Sequence, residues 1–167
     1  MTGPRRSRVP KEPLSCHERA LGLLAVRSRS RRELQTRLLR AGFDPDEVGD
    51  ELERLTAVGL LDDARFAQEL AGHAVGVKLA GRRAVASALA AKGVDRATID
   101  AALEGLEGDE RDRALRLART RAARMATLPP ETAYRRLVAL LGRRGYDGAT
   151  ARWAAGAALR VEAGPVE

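Results

Sequence analysis

Apolar residues recur every three or four positions along most of this chain, a spacing typical of amphipathic helices. In the segment before Gly42, for example, Leu34 and Leu38 lie four residues apart among charged and polar residues. No alternating apolar and polar run of the kind that predicts a β-strand competes with this pattern. The hydrophobic pattern therefore predicts an all-α protein.

A five-residue unit interrupts the helical pattern three times, as RAGFD, AKGVD and RRGYD. Its glycines, Gly42, Gly93 and Gly145, are 51 and 52 residues apart. A glycine just past a helix can adopt the left-handed conformation that closes the last turn, and the next apolar residue can pack back onto that helix. The aspartate that follows can cap the next helix. We expect the packing role for Phe43, Val94 and Tyr146. We expect the capping role for Asp44, Asp95 and Asp147.

The apolar residues around each glycine repeat with the same period. They stand four and eight residues before it and six and ten residues after it: Leu38, Leu89 and Leu141; Leu34, Val85 and Leu137; Val48, Ile99 and Ala151; Leu52, Leu103 and Ala155. Each unit also has an upstream helix, with Leu21, Leu24 and Ala25, then Phe66, Ala67 and Leu70, then Leu115, Leu117 and Ala118. Self-similarity at a period of about 50 residues is typical of helical repeat proteins. The sequence thus predicts three tandem three-helix repeats that form an elongated, curved array.

The predicted boundaries follow from these helices. They are a flexible basic arm at 1–13, repeats at 14–61, 62–108 and 109–160, and a tail at 161–167.

Helix starts are marked by capping residues. SCHE, which begins at Ser15, and SRRE, which begins at Ser30, both have the Ser-x-x-Glu form of a capping box. Near Asp62 and Asp63 we expect a cap with a repulsive neighbour, since no third ligand for a metal stands nearby.

The charge balance favours an anionic partner. A net charge of +7 and a pI near 10.6 point first to nucleic acid and then to a membrane surface. Because 27 of the 30 basic residues are arginine, a GC-rich genome would also explain the excess. The placement of the charges therefore carries more information than their total.

An arginine stands ten residues before each glycine, at Arg32, Arg83 and Arg135. A helical wheel places Arg32 away from the core leucines, and stacked repeats would align such residues along one surface suited to a polyanion. Solvated helix faces are the alternative for any single arginine. The residues predicted to bind nucleic acid or a recombinase filament are Arg27, Arg29, Arg31, Arg32, Arg37, Arg40, Lys78, Arg82, Arg83, Lys92, Arg135, Arg136, Arg143 and Arg144.

The helix that carries Arg113, Arg116, Arg119, Arg121 and Arg124 begins with acidic residues. That order complements the helix dipole, and the helix could also present a second basic face. The sequence leaves both interpretations open.

No set of residues predicts catalysis, a metal or a cofactor. The chain has no Gly-rich phosphate loop and no nucleophile with a base beside it, and Cys16 and His17 are interpreted as ordinary helix residues. No secretory signal and no membrane-spanning run is apparent, so we expect a cytoplasmic protein without a membrane partner.

RSRSRRELQTRLLRAGFD, followed by ERLTAVGLLDDARFAQEL, resembles the RecX family of regulatory proteins, as does the segment from Lys78 to Asp95. The resemblance extends from Arg19 to Leu159 and is loosest in the third repeat. It implies a non-enzymatic protein of three three-helix repeats that binds the RecA recombinase filament and single-stranded DNA. From the repeat pattern itself we expect a monomer. Inhibition of RecA would then modulate recombination, DNA repair and the SOS response.

Two other functions fit parts of the pattern. A helix-turn-helix transcription factor also uses three-helix units, but the helix after Gly42, where a recognition helix would lie, is acidic. A helical array that binds only proteins is the second alternative.

Overall fold

The computed structural model describes residues 14–162, and in this part of the chain helices joined by turns are the regular structure, with no strand. The predicted arm at 1–13 and most of the predicted tail lie outside the described residues. Each repeat has three α-helices, which confirms the predicted fold class. They are α1 (Cys16–Val26), α2 (Arg31–Arg40) and α3 (Pro45–Ala57); α4 (Asp63–Gly76), α5 (Arg82–Ala91) and α6 (Arg96–Glu104); and α7 (Glu110–Ala122), α8 (Pro130–Arg143) and α9 (Gly148–Glu162).

Each repeat has its own hydrophobic core. The residues predicted before and after the glycines are buried in all three repeats, including Ala151 and Ala155 in the third. Helix α1 differs from the prediction, because Ala25 is exposed while Cys16 and Ala20 are buried. Its core-facing stripe runs through Cys16 and Ala20, four residues apart, and Leu21 and Leu24 only flank it.

The three glycine turns have the predicted geometry. Gly42, Gly93 and Gly145 adopt φ values of 93°, 76° and 87°. The amide of the following residue donates to the carbonyl five residues earlier in each turn, as in a Schellman motif. These bonds run from Phe43 to Leu38 (3.4 Å), from Val94 to Leu89 (3.2 Å) and from Tyr146 to Leu141 (3.2 Å).

The aspartate after each turn caps the next helix. Asp44, Asp95 and Asp147 each accept hydrogen bonds from backbone amides in the first turn of α3, α6 and α9, respectively. These bonds confirm the predicted caps. The hydrogen bonds from Thr150 lower the pKa of Asp147, and those from Thr98 lower the pKa of Asp95.

The two predicted capping boxes have different outcomes. Ser15 and Glu18 form a complete box at the start of α1. At α2, Ser30 accepts from the Glu33 amide at 3.1 Å, but the Glu33 side chain does not return to Ser30. Instead, basic side chains bind the Glu33 carboxylate. The second half of the predicted SRRE box was therefore wrong.

Helix α8 begins about one turn earlier than its counterparts α2 and α5. Relative to the glycine turn, Ala133 corresponds to Ser30 and Gly81, which precede α2 and α5. Its amide donates to the Pro129 carbonyl at 3.0 Å, within the first turn of α8. The third repeat therefore differs from the others at this end of its middle helix.

Candidate nucleic-acid interface

The first and second repeats meet where α2 begins. The Ser30 hydroxyl donates to the Lys92 carbonyl at 2.5 Å, and the Arg31 amide donates to the Asp63 carboxylate at 2.7 Å. The aliphatic part of Arg32 lies directly over Gly93, where a Cβ atom would overlap with it. The start of one middle helix thus docks on the glycine turn of the next repeat.

The second and third repeats meet in the same way. The Gly81 amide donates to the Arg144 carbonyl at 2.8 Å, and the Arg82 amide donates to the Glu110 carboxylate at 2.8 Å. The Arg83 amide donates to the Gly145 carbonyl at 3.2 Å. Equivalent parts of successive repeats therefore form equivalent junctions.

Two side chains of the third repeat add contacts to this second junction. Arg144 Nη1 donates to the Lys78 carbonyl at 2.5 Å, and the Tyr146 hydroxyl donates to the Leu79 carbonyl at 2.8 Å. Leu79 has a φ of 48°, a left-handed conformation that is unfavourable for leucine. These contacts hold the segment before α5 in place.

The two aspartates at the start of α4, its cap Asp62 and its first residue Asp63, have separate roles. Asp62 caps α4 by accepting from the Arg65 amide at 2.9 Å, as predicted. Asp63 was predicted only as a repulsive neighbour of that cap, and the structure adds a partner that the sequence did not predict, the Arg31 amide. Its carboxylate faces the positive end of α2 across the junction, where a negative charge is favourable.

A basic groove of about 470 Å³ lies along the first junction. Its basic side chains come from α1, α2 and the residue after α5, so two repeats form its walls. We call this set the junction groove: Arg19, Arg32, Arg37, Arg40 and Lys92, with Leu23, Glu33, Thr36, Ala41 and Ala91 between them.

Glu33 is the only acidic side chain that lines the junction groove. Its carboxylate contacts Arg27, lies 2.8 Å from Arg29 Nη1 and lies 3.5 Å from both Arg37 Nε and Lys92 Nζ. Burial raises the pKa of Glu33, but hydrogen bonds from Arg27 and Arg29 and the charges of Arg27 and Lys92 outweigh it, so the net pKa is lowered. One ionised carboxylate therefore sits among several cations and leaves the groove positive.

The structure places the predicted binding residues in several environments. Arg32, Arg37, Arg40 and Lys92 line the junction groove. Arg29 is only 6% exposed, donates to the Leu23 carbonyl and pairs with Glu33. The other residues predicted on this surface lie outside the groove: Arg27, Arg31, Lys78, Arg82, Arg83, Arg135, Arg136, Arg143 and Arg144.

Arg19 is a groove residue that the sequence did not predict. It is the single arginine of α1, whose other residues are mostly apolar or small. Only the packing of α1 beside α2 brings it close to Arg37 and Arg40. The sequence feature that could have identified Arg19 is its spacing of four residues from Leu23, because residues at this spacing share a helix face and Leu23 lines the same groove.

The arginines in and after helix α7 differ in exposure, and both a structural role and a basic surface were considered for them. Arg113 is only 3% exposed, and its guanidinium donates to the carbonyls of Glu107 and Gly108. Arg116 and Arg119 are exposed on α7, and Arg124 is exposed just beyond the end of this helix. Arg113 therefore has a structural role at the connection between α6 and α7.

Among the residues that the structure describes, no group of three His, Cys, Asp or Glu side chains could hold a metal. His17 Nδ1 lies 2.7 Å from a Glu51 carboxylate oxygen, and Cys16 is buried in the first core. In the same part of the chain, no helix is both long and apolar enough to cross a membrane.

Family models match two segments of this chain. The first three-helix domain of RecX matches residues 16–55, and the second three-helix domain of RecX matches residues 62–103. The regulatory protein RecX of Mycobacterium ulcerans (strain Agy99) is 48% identical over 130 residues, which cover 76% of this chain and 75% of that protein. That of Mycobacterium tuberculosis (strain ATCC 25177 / H37Ra) is 42% identical over 132 residues, or 75% of each chain.

Solved structures share the fold. The crystal structure of RecX from Lactobacillus salivarius has a TM-score of 0.76 and 19% sequence identity, covering 86% of this chain and 94% of that one. A second crystal structure of a regulatory protein RecX has a TM-score of 0.73 and 20% identity, covering 81% and 67% of the two chains. At these identities, the likeness establishes the helical fold.

Proposed function

This chain belongs to the RecX family of regulatory proteins, and we propose that it is a non-enzymatic inhibitor of the RecA recombinase. It would bind RecA filaments on single-stranded DNA as a monomer and so modulate recombination, DNA repair and the SOS response. Such a protein acts in the cytoplasm, where RecA meets DNA.

The junction groove is the observation that carries this proposal. Five basic side chains line it, against a single carboxylate that is already surrounded by cations. Arginine and lysine bind phosphate through charge-assisted hydrogen bonds, and the release of counterions drives the binding. A nucleic-acid backbone therefore fits the groove better than a neutral ligand.

The lining also indicates how DNA would be recognised. None of the groove side chains is aromatic, so bases have no ring on which to stack there. Thr36 adds a hydroxyl among the cations. We expect contacts to phosphates, with little dependence on base sequence.

The structure gives less support to a helix-turn-helix transcription factor. In the first repeat, α3 takes the place of a recognition helix, but Asp46, Glu47, Asp50 and Glu53 are exposed on it. These carboxylates would face the negatively charged major groove. Single-stranded DNA in the junction groove avoids this repulsion.

The proposal is tested by replacing two exposed groove arginines with glutamine, in the double variant R37Q/R40Q. Glutamine places no new carboxylate beside Glu33. The slope of log affinity against log salt for single-stranded DNA should become shallower by about 1.4, because two phosphate contacts are lost at about 0.7 each. Inhibition of ATP hydrolysis by RecA filaments should weaken in parallel.

The variant R152Q/R160Q is the matched control, since it removes two exposed arginines of α9 from outside the groove. It should bind DNA like the wild type. Equal losses in both variants would show that total charge, and not the groove, causes binding. Normal DNA binding by R37Q/R40Q together with lost inhibition would mean that the groove contacts RecA itself.

A further inference from the structure

Asp63 and Glu110 are acidic residues with no part in the basic surface, yet each makes the same contact at a different junction. Asp63 is the first residue of α4 and accepts from the amide of the first residue of α2. Glu110 is the first residue of α7 and accepts from the amide of the first residue of α5. The distances are 2.7 Å and 2.8 Å, although the side chains differ in length.

Neither carboxylate is needed to cap its own helix. Asp62 caps α4 and Asp109 caps α7, so the acid after each cap is free to reach the preceding repeat. In the described part of the chain, neither Asp63 nor Glu110 forms an ion pair with a basic side chain. Each satisfies an otherwise unpaired amide at the positive end of a middle helix.

Because the two carboxylates bind backbone amides, the neighbouring arginine side chains remain available to bind phosphate. The bonded amides belong to Arg31 and Arg82, and Arg32 and Arg83 follow at once. A carboxylate that paired with a guanidinium would remove a cation from the surface. A carboxylate that binds the backbone fixes the helix end and leaves the guanidinium groups free to bind phosphate.

From these contacts we infer that Asp63 and Glu110 are positioning residues that align the basic side chains of successive repeats into one surface for a long polyanion. The inference rests on the proposed function. Arg32 of the first repeat and Lys92 of the second face the same groove only while α2 stays docked. A strand that spans two repeats needs that alignment, whereas a short strand held by one repeat does not.

The test compares D63A with D63N in oligonucleotide binding. For a strand of about 24 nucleotides, D63A should bind at least about tenfold more weakly than the wild type, because the two repeats no longer act together. A strand of about 6 nucleotides can be held by the four groove arginines of the first repeat alone, so its affinity should change by less than about twofold. The asparagine of D63N keeps an acceptor oxygen and should restore much of the difference. E110A should weaken binding of the long strand in the same way, and wild-type binding by E110A would exclude this role for Glu110.

A distance measurement separates positioning from general stability. Spin labels on cysteines introduced at the exposed residues Gln35 and Ser87 report the separation of α2 and α5. Their distance distribution should be narrow in the wild type and in D63N, and broad in D63A, with helix content unchanged.

Two results would overturn the inference. D63A could give wild-type distances and wild-type affinity for the long strand, or it could lose affinity for both strands together with helix content. Wild-type protein that binds neither strand would instead overturn the proposed function, and the distance distributions would still decide whether Asp63 positions the helix.

Discussion

Gly42 and Gly93 share a left-handed backbone conformation but have different surroundings. A Cβ atom on Gly42 would meet nothing within 4 Å, because no other helix start in the described residues docks on this turn. At Gly93, the same atom would overlap with the side chain of Arg32. The first glycine serves only its turn, whereas the second also makes room for the preceding repeat.

Substitutions by alanine should separate these two roles. We expect G42A to lower the free energy of unfolding by about 1 kcal/mol, the strain of a left-handed alanine. G93A should lower it further, because Arg32 must move. In a double-mutant cycle measured by chemical denaturation, R32A should relieve the excess in G93A and show no coupling to G42A. Equal losses for the two glycine variants would contradict this reading of the junction.

At the residue scale, the features that the sequence predicted are those whose partners lie nearby in the chain. Helix-ending glycines, capping aspartates and core leucines are recognisable because their partners lie within a few residues. The burial of Arg29, the place of Arg19 in the groove and the contact of Asp63 with α2 all depend on distant residues. Local periodicity carries no information about such pairs. The wheel likewise showed Arg32 as exposed but did not show that its stem covers Gly93.

At the scale of the elements, the start of each middle helix serves both as a cap and as a docking point. Ser30 is fully buried, accepts from the Glu33 amide and donates to the Lys92 carbonyl. Gly81, its counterpart, has no side chain and donates its own amide to the Arg144 carbonyl. Different groups thus make the equivalent contact.

This double role predicts a difference between two serine caps. We expect S15A to lower the free energy of unfolding by about 1 kcal/mol, the usual effect of losing an N-cap. S30A should lower it by about 2 kcal/mol or more, because a buried hydrogen bond across the junction is lost as well. Thermal denaturation of the two variants at neutral pH compares them directly. Similar losses would show that the bond to Lys92 contributes little.

At the scale of the whole molecule, three hydrophobic cores lie in sequence along the chain. The first comprises residues between Cys16 and Leu61, the second residues between Phe66 and Leu103, and the third residues between Ala114 and Ala158. The contacts at the junctions described above are mainly hydrogen bonds. Stability in such an array is the sum of repeat and nearest-neighbour contributions.

Single repeats should therefore unfold at different denaturant concentrations when one core is weakened. Trp153 on α9 is the only tryptophan and reports on the third repeat. L137A should destabilise that repeat by about 2–5 kcal/mol, so that the fluorescence transition precedes the loss of helix content. L34A, in the first core, should leave the fluorescence transition nearly unchanged. Coincident transitions in both variants would mean that the three repeats unfold as one unit.

The extra first turn of α8 affects where a further three-helix repeat could be added to this array. A repeat docked on the start of α8 would find the Ala133 amide already bonded within α8. A repeat docked on the first one would find Cys16 at the start of α1, where α4 and α7 begin with an acid. The second repeat has both a helix start that bonds to the following repeat through the Gly81 amide and a turn at Gly93, beside Asp63, that receives the preceding repeat. Duplication of this middle unit is the route by which the family's helical framework could grow while every new junction finds its partners.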